Sequence, residues 1–124
     1  MESQDEPDLE LKGLDNFHGS EHYYRLMGGV NATDGVHYIM QNGYSWFATD
    51  AVAVLKAHPK LRKHLAHDDF AVIELRLLPD KQAQMLVEDG NGNELYRQSY
   101  AYSDAKVCLK LFYTGGVLLL ASEY

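Results

Sequence analysis

Cysteine, proline and long apolar runs are all scarce in this 124-residue chain. Cys108 is its single cysteine, so no internal disulfide can form, and a reducing, cytoplasmic setting is the natural expectation. No stretch approaches the ~20 consecutive apolar residues that span a bilayer, and no basic start leads into an apolar signal segment. Neither membrane insertion nor export is expected. No stretch carries a motif of known chemistry. Lysine and arginine do not cluster densely enough to promise phosphate-driven binding, so direct contact with nucleic acid is not expected. What is present suffices for a core: at this length, with 46% hydrophobic residues, one domain can fold without metal or disulfide support, and no cofactor is called for.

The formal charge of -7 is unevenly placed. The first fifteen residues hold Glu2, Asp5, Glu6, Asp8, Glu10 and Asp15 against Lys12, a net -5, which leaves -2 for the rest. Such a polar stretch containing Pro7 reads as a solvated leader over residues 1–12, ahead of a single α+β domain over 13–124. A whole-body mimic of nucleic acid is thereby disfavoured.

Between Phe17 and His67 the pattern is helical. Ser20 suits the N-cap of a short helix over 21–27, stopped by Gly28-Gly29. Thr33 or Asp34 can cap a second helix through Met40, with Asn42-Gly43 as its terminator. The clearest helix starts near Tyr44, with Phe47, Ala51, Val54, Leu55 and His58 on one face and Trp46, Asp50, Ala53 and Ala57 on the adjoining stripe. Pro59 ends it and, needing no amide at a first helical position, opens another over 60–65.

After Asp68 the period becomes two. Ala71, Ile73, Leu75 and Leu77 alternate along one strand, a second run covers 82–88, and Asp89-Gly90-Asn91-Gly92-Asn93 is a strong hairpin loop into a third strand over 94–102. The last two runs, 106–113 and 117–120, fold about Gly115-Gly116. Thr114 then opposes Val117, Tyr113 opposes Leu118, Leu111 opposes Leu120 and Val107 opposes Tyr124, with Glu123 beside Cys108, Lys106 and Lys110. The final run is apolar on both faces, as in a covered strand, and Cys108 reads as a small core residue. A chain that ends in a buried strand reads as a complete small domain. The expected fold is α+β: N-terminal helices packed on one face of a C-terminal antiparallel β-meander of about five strands.

Five landmarks occur in order over nearly the whole chain: Gly19-Ser20, Tyr23-Tyr24-Arg25, Thr33-Asp34-Gly35-Val36, Trp46 with Asp50, and the ending Gly116-Val117-Leu118-Leu119-Leu120-Ala121-Ser122-Glu123-Tyr124. Together they resemble an uncharacterised domain family, of unknown function, met in bacterial, phage and plasmid open reading frames. Ala121 departs from the family's ending, which tends to place a proline before Ser-Glu-Tyr. The resemblance implies no activity. It implies a mobile-element setting, in which small proteins often disable or retune a host protein.

Five groups of residues are candidates for function. His64 and His67, three apart before Asp68 and Asp69, could hold a divalent ion, although basic residues at a helix's negative end give a simpler account. His18 and His22 are spaced for one helix face, but Gly19-Ser20 places His18 outside it. Asp50, one turn beyond Trp46, could act as a general acid or base with His37 or a tyrosine, or could instead pair with Arg25 or cap the preceding helix. Lys56, Lys60, Arg62, Lys63 and His64 form a basic patch that could hold an acidic partner or a phosphate backbone, although helix surfaces commonly look like this. Nine tyrosines are present, and Tyr96, Tyr100 and Tyr102 share one face of a predicted strand, either as core or as an exposed binding platform. The expectation is a binding module that occupies a host protein or protein complex, in its sharpest form an anti-CRISPR-like inhibitor of a host defence complex. A small enzyme using Asp50 is the alternative, and self-association into a homodimer stays open.

Overall fold

The computed structural model describes residues 22–124, so the acidic leader, His18 and the Ser20 cap lie outside the described residues. The described chain starts as a hairpin. Strands β1 (Tyr24–Arg25) and β2 (Asn31–Ala32) pair antiparallel around a 3-10 turn at Met27–Gly29. This replaces the described part of the helix expected over 21–27. Gly28 and Gly29 take φ of 68° and 78°, so they reverse the chain instead of only ending a helix, and the Leu26 amide donates to the Val30 carbonyl at 2.7 Å. So short a helix is marginal by itself, whereas β2 gains a parallel partner in the last strand.

Helix α1 (Asp34–Ile39) forms behind its predicted cap, Thr33, whose Oγ1 accepts from the Val36 amide at 3.4 Å. A wider π-type turn at Met40–Tyr44, with Gly43 at φ 100°, joins it to α2 (Ser45–Ala57). Phe47, Ala48, Ala51, Val52 and Leu55 are the buried face of α2, while Val54 and His58 are half-buried at its margin. Pro59 stands at the first position of α3 (Pro59–His67), which buries Leu61.

Strands β3 (Phe70–Leu78), β4 (Gln82–Glu88), β5 (Glu94–Tyr100), β6 (Leu109–Thr114) and β7 (Val117–Leu120) complete a seven-stranded sheet in the order β1-β2-β7-β6-β3-β4-β5. The five C-terminal strands pair antiparallel, but they are not a simple meander. The chain leaves β5 and returns so that β6 pairs with β3, the spatial order of a Greek key. The β2–β7 pairing is parallel, so the sheet is mixed. Its helices lie between β2 and β3, after the first hairpin. Ala71, Ile73, Leu75, Met85, Val87, Leu111 and Leu118 of the sheet form one core with Val36, Ile39, Phe47 and Leu55 of the helices.

The β6–β7 register matches the predicted pairs Thr114–Val117, Tyr113–Leu118 and Leu111–Leu120. The predicted Val107–Tyr124 pair does not form, because the chain leaves β7 in a 3-10 turn at Ala121–Glu123. Glu123 is thereby carried to α1 instead of Lys106 and Lys110, and Lys110 lies 4.0 Å from Glu74. Cys108 precedes β6 and is exposed, not a core residue.

Candidate functional site

At the β5 edge of the sheet, α2 and β5 lie side by side and their aromatic residues interleave. Trp46, in the first turn of α2, meets the Tyr100 ring edge to face at 5.1 Å, and His58, just past the helix's end, meets Tyr96 at 4.8 Å. Twelve residues of helix separate those contacts, a span of about 18 Å. Between them the Tyr100 hydroxyl donates to Asp50 Oδ2 at 2.8 Å. Asp50 therefore pairs across fifty positions with β5, not with Arg25 or the helix before it. Burial, then the hydrogen bond to Asp50 and the charge there, push the Tyr100 phenol above its ordinary value of 10.0. At neutral pH it is a fixed donor to the carboxylate.

Two hollows flank this pair. One, of about 210 Å³, is lined by Trp46, Tyr100, Tyr102, Ser103 and Asp104. The other, a groove of about 340 Å³, runs over Ala53, Val54, Ala57, His58, Pro59 and Tyr96 and is almost wholly apolar. The His58 Nδ1 is buried without a hydrogen-bond partner among the described residues. Beyond β5, Tyr102 is 65% exposed; its hydroxyl donates to Asp104 at 3.0 Å and its ring lies 5.9 Å from the Lys81 ammonium.

The tyrosine row is thus divided. Tyr96 and Tyr100 are half-buried on the helix-covered face, because they pair with the buried Val87 and Ala83, whereas Tyr102 lies past the end of the strand and projects from the surface. His37 is far from Asp50 in the strand order: its ring stacks on Tyr24 of β1 at 3.7 Å, at the opposite end of the sheet. His64 Nε2 donates to the Phe70 carbonyl at 2.8 Å, His67 is exposed, and Asp69 Oδ2 accepts from the Gly115 amide at 2.8 Å. Among the described residues, no group of three or more His, Cys, Asp or Glu side chains is placed to hold a metal ion. Lys60, Arg62 and Lys63 are exposed on α3. No described helix is long and apolar enough to cross a membrane.

Sequence reasoning missed a polar lock at the other end of the sheet. The Glu123 carboxylate accepts from the Thr33 hydroxyl at 2.6 Å, the Gly35 amide at 3.1 Å and the Leu120 amide at 2.8 Å. It therefore sits at the start of α1, where free amides and the helix dipole favour an anion. Gly35 makes the approach possible: a Cβ there would lie 2.5 Å from Leu120 Cδ1 and 2.7 Å from Glu123 Oε1. The signal was a glycine directly after a helix-start pair, Thr33-Asp34, but nothing local indicated what would approach it. Nor did any pattern single out the Val54, Ala57 and Pro59 wall of the groove.

No curated protein and no solved structure matches the chain. A family model does match, over residues 8–124, and the chain belongs to that family, the family of unknown function DUF6876.

Proposed function

We propose that this protein is a binding module whose docking surface is the aromatic ledge between α2 and β5. The observation that supports this reading is the join of a sheet edge to two hollows, one almost wholly apolar and one of mixed aromatic and polar lining. Among the described residues β5 has a strand on one side only, so main-chain groups along it are available to an added strand, and the two hollows beside it can take that strand's side chains. The partner element is an extended segment of another protein. Acidic residues in it would face Lys60, Arg62 and Lys63, which α3 carries away from the Pro59 end of the groove. The setting that we attach to this reading is the one implied by the resemblance to mobile-element open reading frames. There the partner is a host protein, and in the sharpest form a host defence complex, anti-CRISPR-like.

The test compares the wild-type chain with Tyr102→Ala and Val54→Glu variants in capture from host lysate, followed by affinity measurement on the partner identified. Tyr102→Ala should weaken that complex by about 2 kcal/mol, as a hot-spot residue does, without lowering the melting temperature. Equal binding by all three proteins would place the interface elsewhere. The Asp50–Tyr100 bond keeps a second reading in view, an enzyme with Asp50 as acid or base. That reading requires Asp50→Asn to abolish the biological effect in a protein that still melts normally and still binds its partner.

A further inference from the structure

On the flank of α2 away from the aromatic ledge, a cleft of about 450 Å³ is lined by Leu55, Lys56, Arg62, Leu65, Ala66, Asp69 and Tyr113. Two cations face it. Neither Lys56 nor Arg62 has a carboxylate within ion-pair distance among the described residues, although other basic residues do, as in Arg76–Glu74 and Arg97–Glu94. The Lys56 stem is held beside the Met27–Gly29 turn, where its Cγ would lie 3.2 Å from a Cβ on Gly28. Tyr113, from β6, supplies an independent observation. Its side chain is only 5% exposed, yet its hydroxyl has no hydrogen-bond partner among the described residues. The rest of the wall is apolar, with Leu55 buried and Leu65 half-buried. Asp69 completes the lining with one carboxylate oxygen already held by the Gly115 amide.

We propose that this cleft binds a small organic anion, with its charged oxygens between Lys56, Arg62 and the Tyr113 hydroxyl and its apolar body against Leu55, Leu65 and Ala66. The Tyr113 hydroxyl makes no hydrogen bond to the described residues and is reached by solvent, so it is free to donate into the cleft, and an anionic oxygen is its strongest acceptor. Two unpaired cations supply the charge, and the volume admits a ring-sized body, which inorganic phosphate would leave unfilled. A carboxylate and a phosphate monoester share this chemistry. The cleft shares no lining residue with the two hollows of the α2–β5 ledge and only Arg62 with the basic surface beside them, so Tyr113→Phe tests the cleft alone and Tyr102→Ala the ledge alone.

The experiment is an amide-resolved NMR titration of the full chain with benzoate, phenyl phosphate, inorganic phosphate and phenol in parallel. Saturable shifts should gather at Lys56, Arg62, Leu65 and Tyr113, and benzoate or phenyl phosphate should bind at least about tenfold more tightly than inorganic phosphate or phenol. The tighter of the two identifies the anionic group. Arg62→Ala should weaken binding about tenfold and Tyr113→Phe about fivefold, the loss of one hydrogen bond to a charged group. Arg62 is exposed, so its variant keeps the test open should Tyr113→Phe fold poorly. Shifts that fail to saturate, that scatter over the surface, or that are unchanged in Arg62→Ala would overturn the proposal.

Discussion

At the β1–β2–β7 end of the sheet, one carboxylate gathers three donors, a glycine is packed with no room for a methyl group, and Leu118 and Leu120 are buried beneath them. At the β5 end, a single side-chain hydrogen bond ties α2 to β5 among the described residues, the Tyr96 and Tyr100 rings are half-buried, and two hollows stay open beside them. The first arrangement leaves little freedom, because each group in it has its partner within the chain. The second has regular helix and strand backbone but open side-chain space, which suits a docking surface. On the proposed reading, stability and recognition fall at opposite ends of one sheet.

Substitutions at the two ends should differ in size and kind. Glu123→Ala should have the largest effect, about 2–4 kcal/mol in urea denaturation, because Thr33 and two amides lose their acceptor together. A loss below about 0.5 kcal/mol, in the range of ordinary surface changes, would show that the lock is ornamental. Gly35→Ala should follow with about 1–3 kcal/mol, since the added methyl must displace Leu120 and Glu123. Combined with Glu123→Ala it should cost less than the sum, because the carboxylate it would meet has gone.

Asp50→Asn at the open end should cost about 1 kcal/mol or less, the worth of one hydrogen bond whose partners keep access to water. Tyr100 also predicts a pH effect. Its phenol is held above 10.0, so the folded state resists an ionisation that the unfolded chain undergoes; the stabilisation is complete below about pH 10 and declines above it. Wild type should therefore lose stability more steeply above that pH than Tyr100→Phe, and parallel pH curves would refute the assignment. Tyr102→Ala should be the mildest, within about 0.5 kcal/mol in denaturation, while still affecting partner binding. A large stability loss there would mean that the ledge is core and would erase the contrast between the two ends.

Much of the architecture was legible in local pattern. The three-to-four spacing of Phe47, Ala51 and Leu55 marked the buried face of α2, and Pro59 marked its break from α3. Alternation at Ala71, Ile73 and Leu75 marked the covered side of β3, and Gly115-Gly116 set the β6–β7 register. All of these rest on periodicity and turn chemistry that act across a few residues. The candidate sites were legible only as residue types. That Tyr96 and Tyr100 would border a groove while Tyr102 stood clear of it depended on where β5 ended and what packed beside it.

The sequence by itself determined the α+β class, the main helices, the strand runs and the last hairpin, because each needs only its own segment's burial pattern. Tertiary structure alone decided that β6 returns beside β3, that the first hairpin joins the sheet through β7, that Asp50 meets Tyr100, and that Glu123 crosses some ninety positions to cap α1. The physical reason is range. Strand order and long-range hydrogen bonds follow from which arrangement buries the whole set of apolar faces at once, and no single segment carries that information.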